Sequence, residues 1–301
     1  MEHVRTVTRE FTTGVRAALD VEARSGAVSV EGYEGDAVLI EAVLHVWTDV
    51  ASDADEDASL VARSMTQDGA KVSIRAPALS QSGGGWSLLH FGRGSRVDYR
   101  IRVPATSDVR VDARSGRVSV ARVTGHVDCE MRSGKCTVEE IRGDVAMRSR
   151  SGSVSIDGVE GALTAEARSG RVKVRRVRGR VSVEARSGSI DIADAGGDLR
   201  ASARSGAISI EDAGGAVNVR SRCGPVRYRG AVKGDFDIEV QTGPIMLSVD
   251  TRHPFFIDAE AHLGPVRSEL SPRRGAGQPS GDGPKVRLRT HTGPITIARG
   301  D

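Results

Sequence analysis

Aromatic rings, cysteine and long apolar runs are all scarce in these 301 residues. Phe, Trp and Tyr together make up 3% of the chain. That argues against an aromatic-lined sugar cleft and against a base-stacking platform for nucleic acid, both of which need exposed rings. The three cysteines, Cys129, Cys136 and Cys223, form no CxxC pair, so a structural zinc site is not indicated. No apolar run approaches the roughly 20 residues of a membrane-spanning helix. The opening stretch, Met1 to Gly14, has no apolar segment of the secretory kind, so the expected location is the reducing cytoplasm. Lysine is rare as well, with 5 against 38 arginines. The net charge of +3 is too small to imply a polyanion partner by itself. Its distribution is uneven: residues 1–112 carry a net −5, residues 113–232 a net +8, and residues 233–301 balance.

What the chain does have is a repeat. The triplet Arg-Ser-Gly stands at Arg114, Arg132, Arg150, Arg168, Arg186 and Arg204, with Arg222-Cys223-Gly224 as a seventh copy, every step being 18 residues. An isolated early copy is Arg24-Ser25-Gly26. Later glycines, Gly243, Gly264 and Gly293, lose this spacing and each precedes a proline. A second glycine follows nine residues after the first, at Gly125, Gly143, Gly161, Gly179, Gly197 and Gly215. Between the two, aliphatic residues alternate with polar ones, as in Val172 and Val174 or Val181, Val183 and Ala185. Alternation with a period of two predicts half-buried strands, and the glycines suit the bends between them.

Two short strands per coil of fixed length predict an all-β fold: a single-stack β-solenoid of 18-residue coils, each about 4.8 Å from the last. A narrow aliphatic interior also explains the missing rings, since it has room for Val and Ala. The acyltransferase-type helix would need a small aliphatic residue every six positions, where Thr124, Arg142, Glu160 and Arg178 stand instead. A calcium-binding roll needs a GGxGxD in each half-coil, which Asp194-Ala195-Gly196-Gly197-Asp198 only approaches.

Residues 1–112 are expected to cap the solenoid, 113–242 to form its regular repeats, and 243–301 to add irregular coils with a linker loop at 271–284. In the first segment, Val15–Val30 and Ala37–Val46 read as an imperfect coil. A helix is predicted over Ser52–Ser64, its first turn acidic, with Ala54, Ala58, Val61 and Met65 on one face. It would cover one end or face of the solenoid. Strands follow over Ala70–Ala76 and Arg96–Val103. Between them the Gly-rich stretch Ser80–Ser95 carries Trp86, Leu88, Leu89 and Phe91, which either plug the end of the core, contact a partner or a membrane, or belong to a disordered loop.

The run Val97-Asp98-Tyr99-Arg100-Ile101-Arg102-Val103-Pro104, followed by the Ser-Gly ladder, resembles the putative-adhesin family of bacterial β-strand-repeat proteins. The turn Val30-Glu31-Gly32-Tyr33-Glu34-Gly35-Asp36 and the helix after it are similar too. The resemblance covers about residues 15–298. It implies the solenoid architecture and a domain of unknown function, and it brings no catalytic residues.

The chemistry is correspondingly sparse. Stacking should align Arg114, Arg132, Arg150, Arg168, Arg186, Arg204 and Arg222 into a column. Neighbours ~4.8 Å apart repel by roughly 0.9 kcal/mol in water. Such a column is either a solvated edge, partly offset by Glu130, Glu166 and Glu184, or a strip for an anionic polymer or acidic protein. Carboxylates are scattered along the repeat, the seven histidines show no ligand spacing, and the serine ladder has no adjacent histidine. Cys129 and Cys136 fall at inward positions, and Cys223 at an outward one. The reading is a non-enzymatic scaffold, with no cofactor and no metal, monomeric or a small oligomer. A carbohydrate-active β-helix enzyme and a filament former are the alternatives, and nucleic acid is disfavoured as a partner. An enzyme would need a groove holding two carboxylates about 5–10 Å apart.

Overall fold

A computed structural model describes residues 2–48, 51–77, 79, 95–250, 252, 254–270 and 283–300. The chain is an all-β solenoid, with one helix among the described residues, and it divides into two units, 1–144 and 145–301.

In the first unit, β1 (Glu2–Thr12), β2 (Arg16–Ala23), β3 (Ala27–Tyr33) and β4 (Ala37–Trp47) precede helix α1 (Ala51–Arg63). Then come β5 (Met65–Asp68), β6 (Lys71–Ile74), β7 (Arg96–Pro104), β8 (Thr106–Ala121) and β9 (Val127–Ile141). β2 and β3 make one coil, bent at Gly26. β8 stacks parallel on both, Val21 opposite Val111 and Val28 opposite Val118. β9 repeats β8 one coil further, Gly116 opposite Gly134. Their inward residues, Leu19, Val21, Val30, Val111, Val120, Cys129 and Val138 among them, are buried.

The other side of that first coil departs from the expectation. Ala37–Val46 does not continue a parallel coil. It runs as β4, antiparallel both to β7 and to β1, and β7 lies between β3 and β4. The reversal follows from the short link Glu34-Gly35-Asp36, which turns the chain back; the Tyr33 hydroxyl donates to the Ala37 carbonyl at 2.7 Å across it. β1 lies outside the predicted strands, because an outer strand with no buried residue has no apolar alternation to read. The helix lies against β1 and buries Ala54, Asp57 and Val61. Met65 is buried too, but as the first residue of β5.

The second unit opens with β10 (Val145–Val159), β11 (Leu163–Val177) and β12 (Val181–Ala195). Each is one continuous strand that bends at its Arg-Ser-Gly, stacked parallel in 18-residue register, Val154 opposite Val172 opposite Ile190. The bend requires glycine twice over. Gly188 has φ +124, a region that other residues rarely adopt, and a Cβ there would lie 1.8 Å from the Gly170 carbonyl oxygen.

Beyond these, each coil is two strands. They are β13 (Leu199–Ser205) with β14 (Ile208–Ala213), β15 (Val217–Cys223) with β16 (Val226–Ala231), and β17 (Phe236–Thr242) with β18 (Ile245–Asp250). β19 (Phe256–Leu263) with β20 (Val266–Ser268), and β21 (Lys285–Thr292) with β22 (Ile295–Arg299), complete the unit. The step from β15 to β17 is 19 residues, Val217 opposite Phe236. The interior there is wider than the scarcity of rings suggested. Tyr228 and Phe236 are both fully buried, edge to face with centroids 4.6 Å apart. The Tyr228 hydroxyl donates to the Ala231 carbonyl at 2.6 Å, and burial pushes its pKa up to about 12.

Stacking order and chain order part company at this point. β21 pairs with β17 on one side and β19 on the other, and β22 likewise sits between β18 and β20. The later coil is inserted between two earlier ones. Its inward residues explain why: Val286, Leu288, Ile295 and Ile297 are fully buried, each worth about 1.5–3 kcal/mol. β19 offers only Ile257, Ala259 and Ala261 inward, and they remain half-buried.

Candidate functional site

All seven arginines of the sequence ladder are exposed. In the second unit, Arg150, Arg168, Arg186, Arg204 and Arg222 follow one another a coil apart, fixed by the flanking pairs Ala167 opposite Ala185 and Ser169 opposite Ser187. In the first unit, Arg114 stands beside Arg132. The early Arg24 joins them, because Ala23 is opposite Ala113 and the Ser115 amide donates to the Arg24 carbonyl at 3.1 Å. Ninety residues of sequence separate Arg24 from Arg114, and only Ser25-Gly26 marks it as a member of the ladder.

The five arginines of the second unit are distinguished by what they do not touch. Other arginines of these coils reach carboxylates on the neighbouring coil: Arg176 and Asp157 at 2.7 Å, Arg178 and Glu160 at 3.3 Å. Among the described residues, none of Arg150, Arg168, Arg186, Arg204 and Arg222 forms an ion pair, although Glu166 and Glu184 lie two residues before Arg168 and Arg186 on the same face. The column is thus a row of free guanidinium donors, each able to take an oxyanion with two parallel hydrogen bonds.

Along the stack the column changes character. Its positions on β17, β21 and β19 are Gln241, His291 and His262. The adjacent outward column reads Arg220, Glu239, Arg289, Glu260. Arg220 meets Glu239 at 3.2 Å and Arg289 meets Glu260 at 3.8 Å. A third column reads Asp237, Arg287, Asp258. Both alternations exist only because β21 is inserted; in chain order Glu239 would face Glu260 and Asp237 would face Asp258.

The first two of these columns wall a shallow groove of about 720 Å³, floored by Ser221, Val240 and Thr290. It holds the two carboxylates that an enzyme would require, Glu239 and Glu260, two strand spacings or about 9.6 Å apart. Each is engaged by its own arginine, and Arg289 stands between them. That arrangement neutralises carboxylates rather than setting one as an acid against the other as a base.

The remaining candidates sort by burial. Cys129 and Cys136 are buried and Cys223 is exposed. Contact with the Cys136 thiol, together with burial, raises the Cys129 thiol well above the usual range. Several turn aspartates are taken up by the fold. Asp198 accepts the Ala216 amide at 3.1 Å, and Asp235 the Lys285 amide at 2.8 Å. Asp108 accepts the His126 amide at 2.9 Å, which with Arg16 holds its carboxyl below the ordinary value. Trp86, Leu88, Leu89 and Phe91 lie outside the described residues. Among the described residues no helix is long and apolar enough to cross a membrane.

The sequence profile of the Toastrack DUF4097 family matches residues 19–227. Two solved structures are similar at low identity. One is a putative cell adhesion protein from Clostridium sporogenes, with 10% identity over 99% of each chain and a TM-score of 0.20. The other is a putative adhesin from Bacteroides fragilis, with 11% identity over 98% of this chain and 97% of that one, and a TM-score of 0.39. No curated protein matches the chain.

Proposed function

The chain belongs to the Toastrack DUF4097 family, and from that premise we propose that it is a non-enzymatic, adhesin-like scaffold for an acidic protein or a polyanionic polymer. The observation that carries the reading is the column Arg150, Arg168, Arg186, Arg204 and Arg222, exposed and without ion pairs among the described residues. Five like charges one strand apart repel by roughly 0.9 kcal/mol per neighbouring pair before screening. A ligand with regularly spaced anions replaces that repulsion with charge-assisted hydrogen bonds. Such binding weakens as salt rises, because exposed charges are screened.

The test is retention on poly-glutamate and on sulfated-polysaccharide resins. We expect wild-type protein to be held at low salt and released by about 0.5 M salt, where the screening length is a few ångströms. Replacing Arg150, Arg168 and Arg186 with Ala should abolish retention while leaving the melting temperature within a few degrees. Equal retention of the variant would remove the column from the function. The proposal includes cytoplasmic residence; cell fractionation checks it.

A second reading, self-association, is favoured by one feature. On β19 and β20, Leu263 is 59% exposed and Val266 44% exposed, at the edge away from β21 and β22. Light scattering across a concentration series distinguishes the readings. A constant monomer mass rules out self-association.

A further inference from the structure

We propose that His262 and His291 form a surface site for a divalent transition-metal ion, with copper(II) bound most tightly. The two residues are 29 apart in sequence and become neighbours because β21 pairs directly with β19, Ala261 opposite Thr290 and Leu263 opposite Thr292. Their rings are parallel within 10°, with centroids 4.9 Å apart, and both are exposed on the groove wall.

Two imidazoles on one ion, each about 2.0–2.1 Å from it, place their ligating nitrogens about 3 Å apart. Exposed rings that start 4.9 Å apart reach that separation by tilting toward each other, with no movement of the strands. Imidazole suits copper, nickel and zinc, and copper(II) heads the affinity order. The hard ions magnesium and calcium take oxygen ligands instead. Glu239 and Glu260 share the groove but are held by Arg220 and Arg289. Among the described residues, no group of three or more His, Cys, Asp or Glu is placed to hold a metal. The site is therefore a two-point clamp whose other positions are filled by water. It stands independently of the arginine column.

The experiment is titration with copper(II) sulfate of the untagged full chain carrying His3→Gln, its exposed Cys223 first blocked by maleimide, followed by electron paramagnetic resonance and calorimetry. The first change removes chelation by the amino terminus and the second prevents reduction of the ion by the thiol. We expect one ion with two nitrogen ligands per chain, displaced by EDTA, and no binding of magnesium. His262→Gln and His291→Gln should each weaken binding at least tenfold, and the double variant should be no worse than either. His126→Gln, at an exposed position on another coil, should leave it unchanged. Each variant is checked for an unaltered melting curve, since these side chains lie outside the core. Overturning results are a one-nitrogen spectrum, independent half-losses from the two single variants, or an equal loss from His126→Gln.

Discussion

The coils up to Cys223 and the coils after it share one backbone plan and distribute charge in opposite ways. In residues 145–223 the outward arginine recurs at the same offset, so stacking sets like charge beside like charge. In residues 224–300 the outward columns alternate, Glu239, Arg289, Glu260 in one, continuing from Arg220, and Asp237, Arg287, Asp258 in the next. Repetition of sequence makes the first pattern automatic. The second requires a non-repetitive sequence and a coil order different from chain order. The comparison separates two uses of an outward column: one kept free of ion pairs, the other neutralised by them.

The sharpest way to test that division is through the bends. Gly188→Ala should strain the regular coils by roughly 1–3 kcal/mol from its positive φ, with the clash against Gly170 added. A fall of about 5 °C or more in Tm is expected from a thermal melt. Pro294→Ala, at the equivalent bend of the inserted coil, should move stability by less than about 1 kcal/mol. If both variants melt alike, the proline is as necessary to the bend of the inserted coil as the glycine is to the regular one.

Charge reversal is the next test, with a smaller effect. Arg289→Glu sets three acids side by side on β17, β21 and β19, and should destabilise by about 1 kcal/mol, as exposed pairs do. Hydrogen exchange should report it first, as faster exchange of the amides in β19. Arg168→Glu sits between Arg150 and Arg186 and should be neutral or slightly stabilising. An Arg289→Glu protein as protected as wild type would mean that apolar burial alone orders the coils.

The smallest effect concerns thiols. Maleimide should label one cysteine per native chain, Cys223, and reach Cys129 and Cys136 only after unfolding. Native labelling of all three would mean that the first unit opens far more readily than its packing implies.

These regions also differ in how far they could be read beforehand. The 18-residue register was legible because each repeat carries its own alignment: Gly152 meets Gly170 and Val154 meets Val172, as the spacing requires. The column of arginines followed for the same reason. What spacing does not encode is which coil lies beside which once the period breaks. The stacking of Arg24 on Arg114, the antiparallel course of β4 and the meeting of His262 with His291 depend on that. The last is decided by burial of Val286 and Leu288 and by separation of Glu239 from Glu260, which no local pattern records. The first two leave only faint local marks, Ser25-Gly26 and the link Glu34-Gly35-Asp36.

The inserted coil gives synthesis a direction that the finished structure conceals. β19 leaves the ribosome before β21, roughly 2–6 s earlier at usual elongation rates. For that interval the edge of β17 is open, and β19 is the strand at hand. Docking there would set Asp237 against Asp258 and Glu239 against Glu260. The like charges make the premature pairing reversible, so the place stays available for β21. A chain with Asp258 and Glu260 both changed to Lys should hold the early pairing and refold more slowly, which pulsed hydrogen exchange at the β21 amides can follow.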